Sequence, residues 1–328
     1  MGIAAAPILW LSRDDVASVL PSVEERLACT REALILRARG SIEMPPKFGV
    51  HPPAGRHVHA MPALLPVEYG LGLKWIGDFP KNKALGLPTL SALIVLSDPN
   101  TGGTLAMMDG TVVTAARTAA MTGVSAGVCA RPDSAAAAVV GAGVQARAHL
   151  EVLPHVFPSL DRIWVVARSR AAAARLCDEM RRRVRPTLIP TTDRQAAVRG
   201  ADLVVTVTTS VGTRLLEWEW LRPGVTAVVL DNGGKETGVL YAVDRVLVDD
   251  RRPFGEAEVL GRFPSGVPPI AAEIGDVLLG REAGRTNARE RILVLNLGIA
   301  ACSSTSRRRW PSGRTRRGLA TRPPRAGW

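Results

Sequence analysis

The sequence predicts an α/β protein with a doubly wound parallel sheet and a second, mainly antiparallel α+β domain. From residue 136 onward, short apolar runs alternate with helical stretches, a pattern typical of parallel strands joined by helical crossovers. The preceding residues instead hold proline-punctuated apolar runs. These favour antiparallel strands, because a parallel crossover needs about a dozen residues. A chain of 328 residues also exceeds what one hydrophobic core usually supports, so two domains are expected.

The individual elements follow from apolar periodicity and from glycine and proline positions. In the parallel half we expect strands at 136–140, 162–167, 187–189, 202–208, 225–231, 245–248 and 292–295, with helices from 144 to a stop at Pro154 and at 171–184. In the first half we expect a helix at 23–39 and strands at 58–61 and 90–96, followed by a small-residue helix at 114–129 that leads into the second domain. The predicted domains are therefore residues 1–115 and 116–300.

Composition favours a soluble cytoplasmic protein. No apolar run reaches the roughly 18 residues that a membrane-spanning helix requires, and the amino terminus lacks a basic segment followed by an apolar one. The four cysteines stand far apart without a CxxC pair, which favours a reducing compartment and argues against a disulfide framework. No membrane partner is expected.

The formal charge of +12 is concentrated at the carboxyl end. Residues 303–328 hold eight arginines and no acidic residue, so the rest of the chain is only mildly basic. This segment has no apolar periodicity and no interleaved aromatic residues. We therefore interpret residues 301–328 as a disordered, solvated tail and consider nucleic-acid binding disfavoured. Its Arg, Ser, Pro and Trp content is also what Ala, Val, Asp and Glu codons of a GC-rich gene yield when read out of frame, which suggests a frameshift.

A glycine motif follows the first parallel strand and begins the next helix. Gly141 can form the tight turn, Gly143 can let the backbone approach a pyrophosphate, and Ala146 can allow close packing of helix on sheet. The backbone N–H groups of Val144 and Gln145 begin the helix, whose positive dipole end attracts phosphate. The context of strand, turn and helix predicts a Rossmann domain that binds a nicotinamide dinucleotide, although a glycine turn without a nucleotide is the alternative.

The end of the second parallel strand indicates which nicotinamide cofactor is bound. An acidic residue there would hydrogen-bond the ribose 2′-hydroxyl of NAD, but this chain has Arg168, Ser169 and Arg170. Guanidinium groups pair with phosphate, so these residues favour NADP(H), with NAD(H) also possible. The alternative is that both arginines merely begin an exposed helix.

Several further blocks occur in a fixed order along the chain, and together they are more specific than the glycine motif. They are MPPKFGVHP (44–52), GLKWIGDFPKN (72–82), GLPTL (86–90), LSDPNTGGTLAMMDG (96–110), TAARTAAMTG (114–123), VVGAGVQA (139–146), ADLVVTVTTS (201–210) and LDNGGKE (230–236). Through them the chain resembles the ornithine cyclodeaminase/μ-crystallin family. The resemblance implies a Rossmann domain, an antiparallel domain for substrate and dimerisation, a homodimer, and a small amino or imino acid as substrate.

Lys74 and Arg117 are cations in apolar surroundings. Lys74 lies within an apolar strand, where burial would lower its pKa and prepare it for proton transfer, unless it occupies an exposed strand face. Arg117 lies among Ala, Thr and Met, where it needs an anion such as a substrate carboxylate, or else an acidic residue at a domain interface. Asp231 ends an apolar strand, at the edge where ligands of such folds bind. By resemblance Lys74 and Asp231 are the catalytic residues, and we expect all three to meet at a cleft between the domains.

The resemblance adds three binding residues and argues against a metal. Lys47, in place of an arginine common in relatives, and Thr89 are implied to contact substrate, and Thr208 to contact the cofactor. His51, His57 and His59 resemble a metal cluster, but they occur in a proline-rich stretch that predicts no common face, so no metal is expected.

The predicted chemistry is oxidation or reduction of the carbon–nitrogen bond of an amino or imino acid. The same residues suit two alternatives, which remain open at this point. One is ornithine-type cyclodeamination with bound NAD, and the other is an NADPH-dependent ligand-binding protein without turnover, as some μ-crystallin-like relatives are.

Overall fold

The computed structural model describes residues 7–53, 56–66, 70–208, 215–230, 237–256, 263 and 265–303. The chain divides into two compact units. Unit 1 comprises Met1–Ser22, Arg39–Arg117 and Ala300–Trp328, and unit 2 comprises Val23–Ala38 and Thr118–Ile299. Both contain their own sheet, as the sequence predicts.

Unit 1 contains a six-stranded sheet in the order β1-β6-β5-β4-β3-β2. Its strands and helix are β1 (Leu9–Leu11), α1 (Arg13–Ser18), β2 (Phe48–Val50), β3 (His57–Leu64), β4 (Leu71–Asp78), β5 (Leu90–Ser97) and β6 (Thr104–Asp109). Strands β2 to β6 pair antiparallel in sequence order, and only β1 pairs parallel, with β6. Two faces result, because successive side chains of a strand point to opposite sides.

One face of this sheet is apolar and buried. Leu11, Ile94, Ala106 and Met108 pack there against Val16 of α1, each at most 7% exposed. Helix α1 begins at a capping box, in which the Ser12 hydroxyl accepts a hydrogen bond from the Asp15 N–H and the Asp15 carboxylate accepts one from the Ser12 N–H. This cap fixes the direction in which α1 crosses the sheet.

Unit 2 contains an eight-stranded parallel sheet in the order β13-β12-β14-β11-β10-β7-β8-β9. Its strands are β7 (Ala136–Val140), β8 (Arg162–Val166), β9 (Thr187–Thr191), β10 (Leu203–Thr206), β11 (Thr226–Val229), β12 (Arg245–Val248), β13 (Ile270–Glu273) and β14 (Ile292–Leu295). The helices of the chain that remain are α2 (Val23–Ala38), α3 (Gly110–Cys129), α4 (Val144–Val156), α5 (Arg170–Met180), α6 (Arg194–Gly200), α7 (Thr237–Leu240) and α8 (Ile274–Leu278). The strand order reverses direction beside β7, which confirms the doubly wound Rossmann arrangement.

Three features differ from the sequence-based expectations. Helix α2, expected in the amino-terminal domain, belongs to unit 2, where it contacts α4 and α8. Helix α4 does not stop at Pro154 but ends at Val156, because a proline near the end of a helix removes only one backbone hydrogen bond. Helix α3 begins at Gly110 rather than 114 and runs across the division between the units at Arg117. The expected tail lies beyond the described residues after residue 303.

Of the helices in the described ranges, α3 is the one that is long and apolar enough to cross a membrane. Most of its apolar window is buried inside the protein, with Ala119, Ala120 and Ala126 fully buried. Helix α3 therefore behaves as a core helix, whose small side chains allow other elements to pack closely around it.

Candidate functional site

The glycine motif forms the turn between β7 and α4. Gly141 adopts a φ of +137°, and a Cβ added to it would lie 2.9 Å from the carbonyl oxygen of Val207, so a side chain is excluded on two grounds. The Gly141 N–H donates to the carbonyl oxygen of Val166, which ties the turn to the end of β8. Ala146 is fully buried, as its predicted packing role requires.

Gly143 has a different role, because its conformation is ordinary. Its φ of −101° is accessible to any residue, and a Cβ added there would meet nothing within 4 Å. Gly143 is the N-cap of α4, and no side chain accepts the first N–H groups of that helix. Val144, the first helical residue, leaves 50% of its surface exposed. Open space, uncapped N–H groups and a helix dipole fit a dinucleotide pyrophosphate.

The reversal point of the strand order lies beside this turn. Strands β7 and β10 are neighbours on opposite sides of the reversal, and Val207 N donates to the Val140 carbonyl oxygen at their carboxyl ends. Thr208 directly follows and is partly buried. Ligands of open α/β sheets bind at such a point, so the position of Thr208 agrees with its predicted contact to the cofactor.

Arg168 and Arg170 are exposed at the junction between β8 and α5. Ser169 is the N-cap of α5, and its hydroxyl accepts a hydrogen bond from Ala172 N. Because β8 pairs with β7, the junction lies at the same sheet edge as the glycine turn. Both predicted arginines are thus available to an anion at this edge.

In unit 1, strand pairing brings Lys47 and Lys74 to the same face of the sheet. Lys74 pairs with Met61. Strand β2 pairs with β3 so that Phe48 lies opposite Ala60, and continuing this antiparallel ladder by one residue places Lys47 opposite Met61. The two lysines therefore lie in one cross-strand row, with Cα atoms about 10 Å apart. This is the face that packs against the apolar core of unit 1.

Lys74 is buried, with only 2% of its surface exposed. No described residue accepts a hydrogen bond from its Nζ. Burial, together with the positive charges of Arg117 and Lys47, holds the pKa of Lys74 well below its usual range, whereas Cys302 acts in the opposite direction. The low pKa favours a neutral amine. Arg117 and Lys47 are therefore near enough for their charges to act on the Lys74 nitrogen.

One predicted residue, Thr89, is not part of this cluster. Thr89 precedes β5 and is five residues away from Ile94, which lies opposite Lys74, so its Cα is about 16 Å away along the strand. Its carbonyl oxygen accepts a hydrogen bond from Phe79 N. The register therefore separates Thr89 from Lys74, which sequence order alone does not reveal. Asp231 lies outside the described residues, directly after β11 and Leu230.

The structure contradicts the expectation that the three histidines lack a common face. The ligand nitrogens of His51, His57 and His59 all lie within 4.8 Å of one another. They come together because His57 and His59 alternate on β3, while the antiparallel pairing of β2 with β3 returns His51 to the same place. The proline-rich appearance of the segment hides this pairing.

Sequence reasoning also missed Cys302 as a member of the lysine cluster. Cys302 is buried and lies close enough to Lys74 to affect its pKa. In the sequence it is one of four widely spaced cysteines, and no spacing or motif signals its position. Only the fold brings residue 302 back to unit 1.

Comparison with known proteins gives a family and several relatives. The profile of the ornithine cyclodeaminase/mu-crystallin family matches residues 9–305. The chain is 34% identical to the nodulation efficiency protein NfeD of Rhizobium meliloti, over 90% of this chain and 92% of that protein.

Solved structures show the same fold. The Δ1-pyrroline-2-carboxylate reductase of Thermococcus litoralis, solved with NADH and L-proline, matches with a TM-score of 0.80 and 26% identity, covering 92% of this chain and 95% of that one. An archaeal alanine dehydrogenase dimer with bound NAD matches with a TM-score of 0.79 and 29% identity, covering 92% and 94%. These likenesses span both units.

Proposed function

The chain belongs to the ornithine cyclodeaminase/mu-crystallin family, and from this premise we propose that it is an NAD(P)-dependent oxidoreductase. Its substrate is a small amino or imino acid, in which it reduces or forms the carbon–nitrogen double bond. The observation that carries the proposal is the buried amine of Lys74, which has no hydrogen-bond acceptor among the described residues and whose pKa is lowered by burial and by the positive charges of Arg117 and Lys47. Two related structures support this reaction class: the reductase solved with NADH and L-proline, and the alanine dehydrogenase solved with NAD.

The three cations suit the carboxylate of such a substrate. The positive charges of Arg117 and Lys47 disfavour a proton on Lys74, and a bound carboxylate would offset this effect. A carboxylate offers four lone-pair sites and can accept hydrogen bonds from a guanidinium and two amines. In this role Arg117 and Lys47 hold the substrate, and its negative charge raises the pKa of Lys74 again. Substrate binding thereby prepares Lys74 to carry a proton.

Lys74 and Asp231 handle protons in the proposed mechanism. A nicotinamide cofactor, when bound, supplies or accepts a hydride at the carbon of the C–N bond. Lys74, as a neutral amine, accepts a proton during oxidation, and as an ammonium group it donates one during reduction. Asp231, which follows β11 and Leu230 in the sequence, is proposed to contact the substrate nitrogen and to stabilise its positive charge.

The glycine turn is proposed to hold the cofactor. The turn and the uncapped N–H groups for the pyrophosphate come from Gly141, Gly143, Val144, Gln145 and Ala146. Thr208 contributes from the segment that follows the neighbouring strand β10. We further propose a preference for NADP(H). Its support is that Arg168 and Arg170 are exposed at the end of β8, where the cofactor's 2′-phosphate would be bound.

A homodimer and a cytoplasmic location complete the proposal. The face of the unit 1 sheet opposite Lys74 exposes Phe48 (60%), Val50 (58%) and Trp75 (47%), an apolar surface that a second copy of the chain would cover. The archaeal alanine dehydrogenase relative is a dimer. All four cysteines are free thiols, which suits the reducing cytoplasm.

A substrate screen followed by nicotinamide absorbance tests the function. The full chain is mixed with NADPH or NADH and Δ1-pyrroline-2-carboxylate, or pyruvate with ammonia, and in the other direction with the oxidised cofactors and proline or alanine. We expect one pair to change the absorbance. An ornithine sample that releases ammonia without a net absorbance change would instead show cyclodeamination. No turnover with any of these would contradict the proposal.

Replacing Arg117 tests the carboxylate contact itself. Arg117→Ala should raise the KM for the substrate by about 10-fold to 100-fold, the equivalent of a lost charged hydrogen bond, while leaving cofactor affinity unchanged. Lys83→Ala is the control, because it removes an exposed positive charge of the same unit. A KM that moves equally in both variants would show only a general effect of charge.

A further inference from the structure

A group of histidines lies at the edge of the unit 1 sheet. It shares the face of Lys74, because His59 is two residues along β3 from Met61, which pairs with Lys74. Strand β2 is the edge strand, and its ladder with β3 pairs Gly49 with His59 and Val50 with Val58. Continuing this antiparallel ladder by one residue puts His51 opposite His57. Since directly opposed residues share a face, as do residues two apart on one strand, all three imidazoles project to the same side.

The imidazoles are close enough to share one ion. The Nδ1 atoms of His51 and His57 are 3.1 Å apart, and the ligand nitrogens of the whole group lie within 4.8 Å. Ring centroids are 5.4 to 5.9 Å apart, and the rings of His57 and His59 are nearly parallel. Zinc–nitrogen bonds of about 2.0–2.1 Å at tetrahedral angles separate neighbouring nitrogens by about 3.3 Å. The first pair thus already has a suitable spacing, and the third nitrogen needs a shift of at most about 1.5 Å.

Two Nδ1 atoms at 3.1 Å require a positive charge or proton between them. In the metal-free protein one imidazole must donate its Nδ1–H to the other. A divalent cation replaces that proton and satisfies both lone pairs as well as the third imidazole. Neutral imidazole nitrogens are preferred ligands of zinc, copper, nickel and cobalt, whereas magnesium and calcium prefer oxygen.

The backbone around the group allows the three imidazoles to come close together. A Cβ at Gly49, opposite His59, would lie 1.9 Å from the carbonyl oxygen of Val58, so only glycine allows β2 to pair this closely at that point. His51 is exposed while His57 and His59 are half-buried, which leaves one side accessible to an ion and to water. In the part of the chain that the structure describes, no other group of three histidine, cysteine or acidic residues brings its ligand atoms as close.

We propose that His51, His57 and His59 bind one divalent transition-metal ion, with zinc as the best-fitting ion and water in the fourth position. The ion links the end of the edge strand β2, through His51, to β3, through His57 and His59, and so stabilises the pairing of these strands. Metal binding does not depend on the proposed oxidoreductase activity, because none of the three ligands is Lys47, Lys74 or Arg117, although all three lie on the same face of the sheet as Lys74. Lys47 directly precedes β2, so a metal that stabilises β2 also limits the movement of this proposed substrate-binding residue.

Cobalt binding tests the site, since tetrahedral Co²⁺ has strong visible absorption and zinc does not. The full chain, freed of any polyhistidine tag, is titrated with CoCl₂, and ZnCl₂ is then added as competitor. We expect one cobalt ion per chain, a tetrahedral spectrum, and displacement by zinc. Absence of cobalt binding would overturn the proposal and leave the three imidazoles as a hydrogen-bonded cluster.

Histidine variants assign the ion to these ligands. His57→Gln and His51→Ala should each weaken cobalt binding by about 100-fold or more, since even the outer partners of metal ligands contribute about 10–100-fold. His51 is exposed and outside a strand, so His51→Ala keeps the test valid if His57→Gln fails to fold. His155→Gln, an exposed histidine of α4, is the matched control and should bind normally. Equal affinity in His51→Ala and the wild type would overturn the assignment.

Discussion

At the scale of single residues, Lys74 combines two opposing requirements. A buried amine without a hydrogen-bond acceptor among the described residues destabilises the folded chain, yet the same burial produces the low pKa that the proposed chemistry uses. Evolution commonly retains such a residue for activity at the expense of stability. A substitution that removes the amine should separate the two effects.

We predict that Lys74→Met stabilises the protein at neutral pH by about 1–3 kcal/mol while abolishing turnover, because an apolar side chain of similar volume relieves the buried amine. Chemical denaturation and the absorbance assay measure the two effects. Lys83→Met, at an exposed position, should change neither. A less stable Lys74→Met protein would show that the amine is well solvated or paired.

The same variant should alter the pH dependence of stability. The folded-state pKa of Lys74 lies below the ordinary value of 10.5, so between these two values the unfolded chain binds one proton more than the folded chain. The wild-type free energy of unfolding therefore decreases as pH falls from about 10.5 towards the lower folded-state pKa. Lys74→Met should lack this decrease, which denaturation at several alkaline pH values measures.

The two glycines of the turn should respond differently to substitution. Gly143→Val should abolish dinucleotide binding but keep the fold, because its backbone is ordinary and the added side chain fills the space proposed for the pyrophosphate. Gly141→Val should destabilise the fold itself, since it combines a positive φ with a close backbone contact. Fluorescence titration of the cofactor and thermal unfolding distinguish the two. Undiminished cofactor affinity in Gly143→Val would remove the site assignment.

At the scale of elements, helix α4 combines binding with packing. Its first turn borders the glycine motif, while His149, in the second turn, is fully buried against α3. The Nε2 of His149 lies 2.9 Å from the Thr122 hydroxyl, and its Nδ1 lies 2.7 Å from the Gln145 carbonyl oxygen. Burial lowers the pKa of His149 to about 4, so this histidine is neutral at physiological pH and has a structural role.

The junction between β8 and α5 determines the proposed cofactor preference. We predict that the wild-type chain binds NADPH more tightly than NADH, and that Arg168→Ala reduces this preference by about 1–3 kcal/mol, the range for a hydrogen bond to a charged group. Arg175→Ala, an exposed arginine of the same helix, is the control. Affinities of the three proteins for both cofactors measure the effect. A wild-type preference for NADH would show that Arg168 and Arg170 face solvent only.

At the scale of the whole molecule, the open apolar face of the unit 1 sheet predicts a homodimer. Trp75→Glu should weaken dimerisation by about 30-fold or more, since a central aromatic residue commonly contributes about 2 kcal/mol or more. Leu85→Glu is the control, because Leu85 is a similarly exposed apolar residue that lies on a 3-10 helix outside the sheet. Sedimentation velocity at several concentrations measures both. A monomeric wild-type chain would contradict the prediction.

The sequence by itself determined the features that depend on local periodicity and on short motifs. These are the parallel strands, the glycine turn with Gly141 and Gly143, and the family blocks, because a strand, turn and helix are specified by residues close together in the chain. Arg117 and Lys74 were also predicted locally, since a cation in an apolar segment is unfavourable wherever that segment lies.

Only the tertiary structure decided what depends on strand register and on distant parts of the chain. The strand register determines that Lys47 lies in the same cross-strand row as Lys74 and that Thr89 lies about 16 Å from that row. It also determines that His51 lies beside His57 and His59. The fold also returned Cys302 to unit 1 and moved α2 into unit 2. The physical reason is that pairing between strands depends on the whole sheet, and a shift of one residue would turn each of these side chains to the other face.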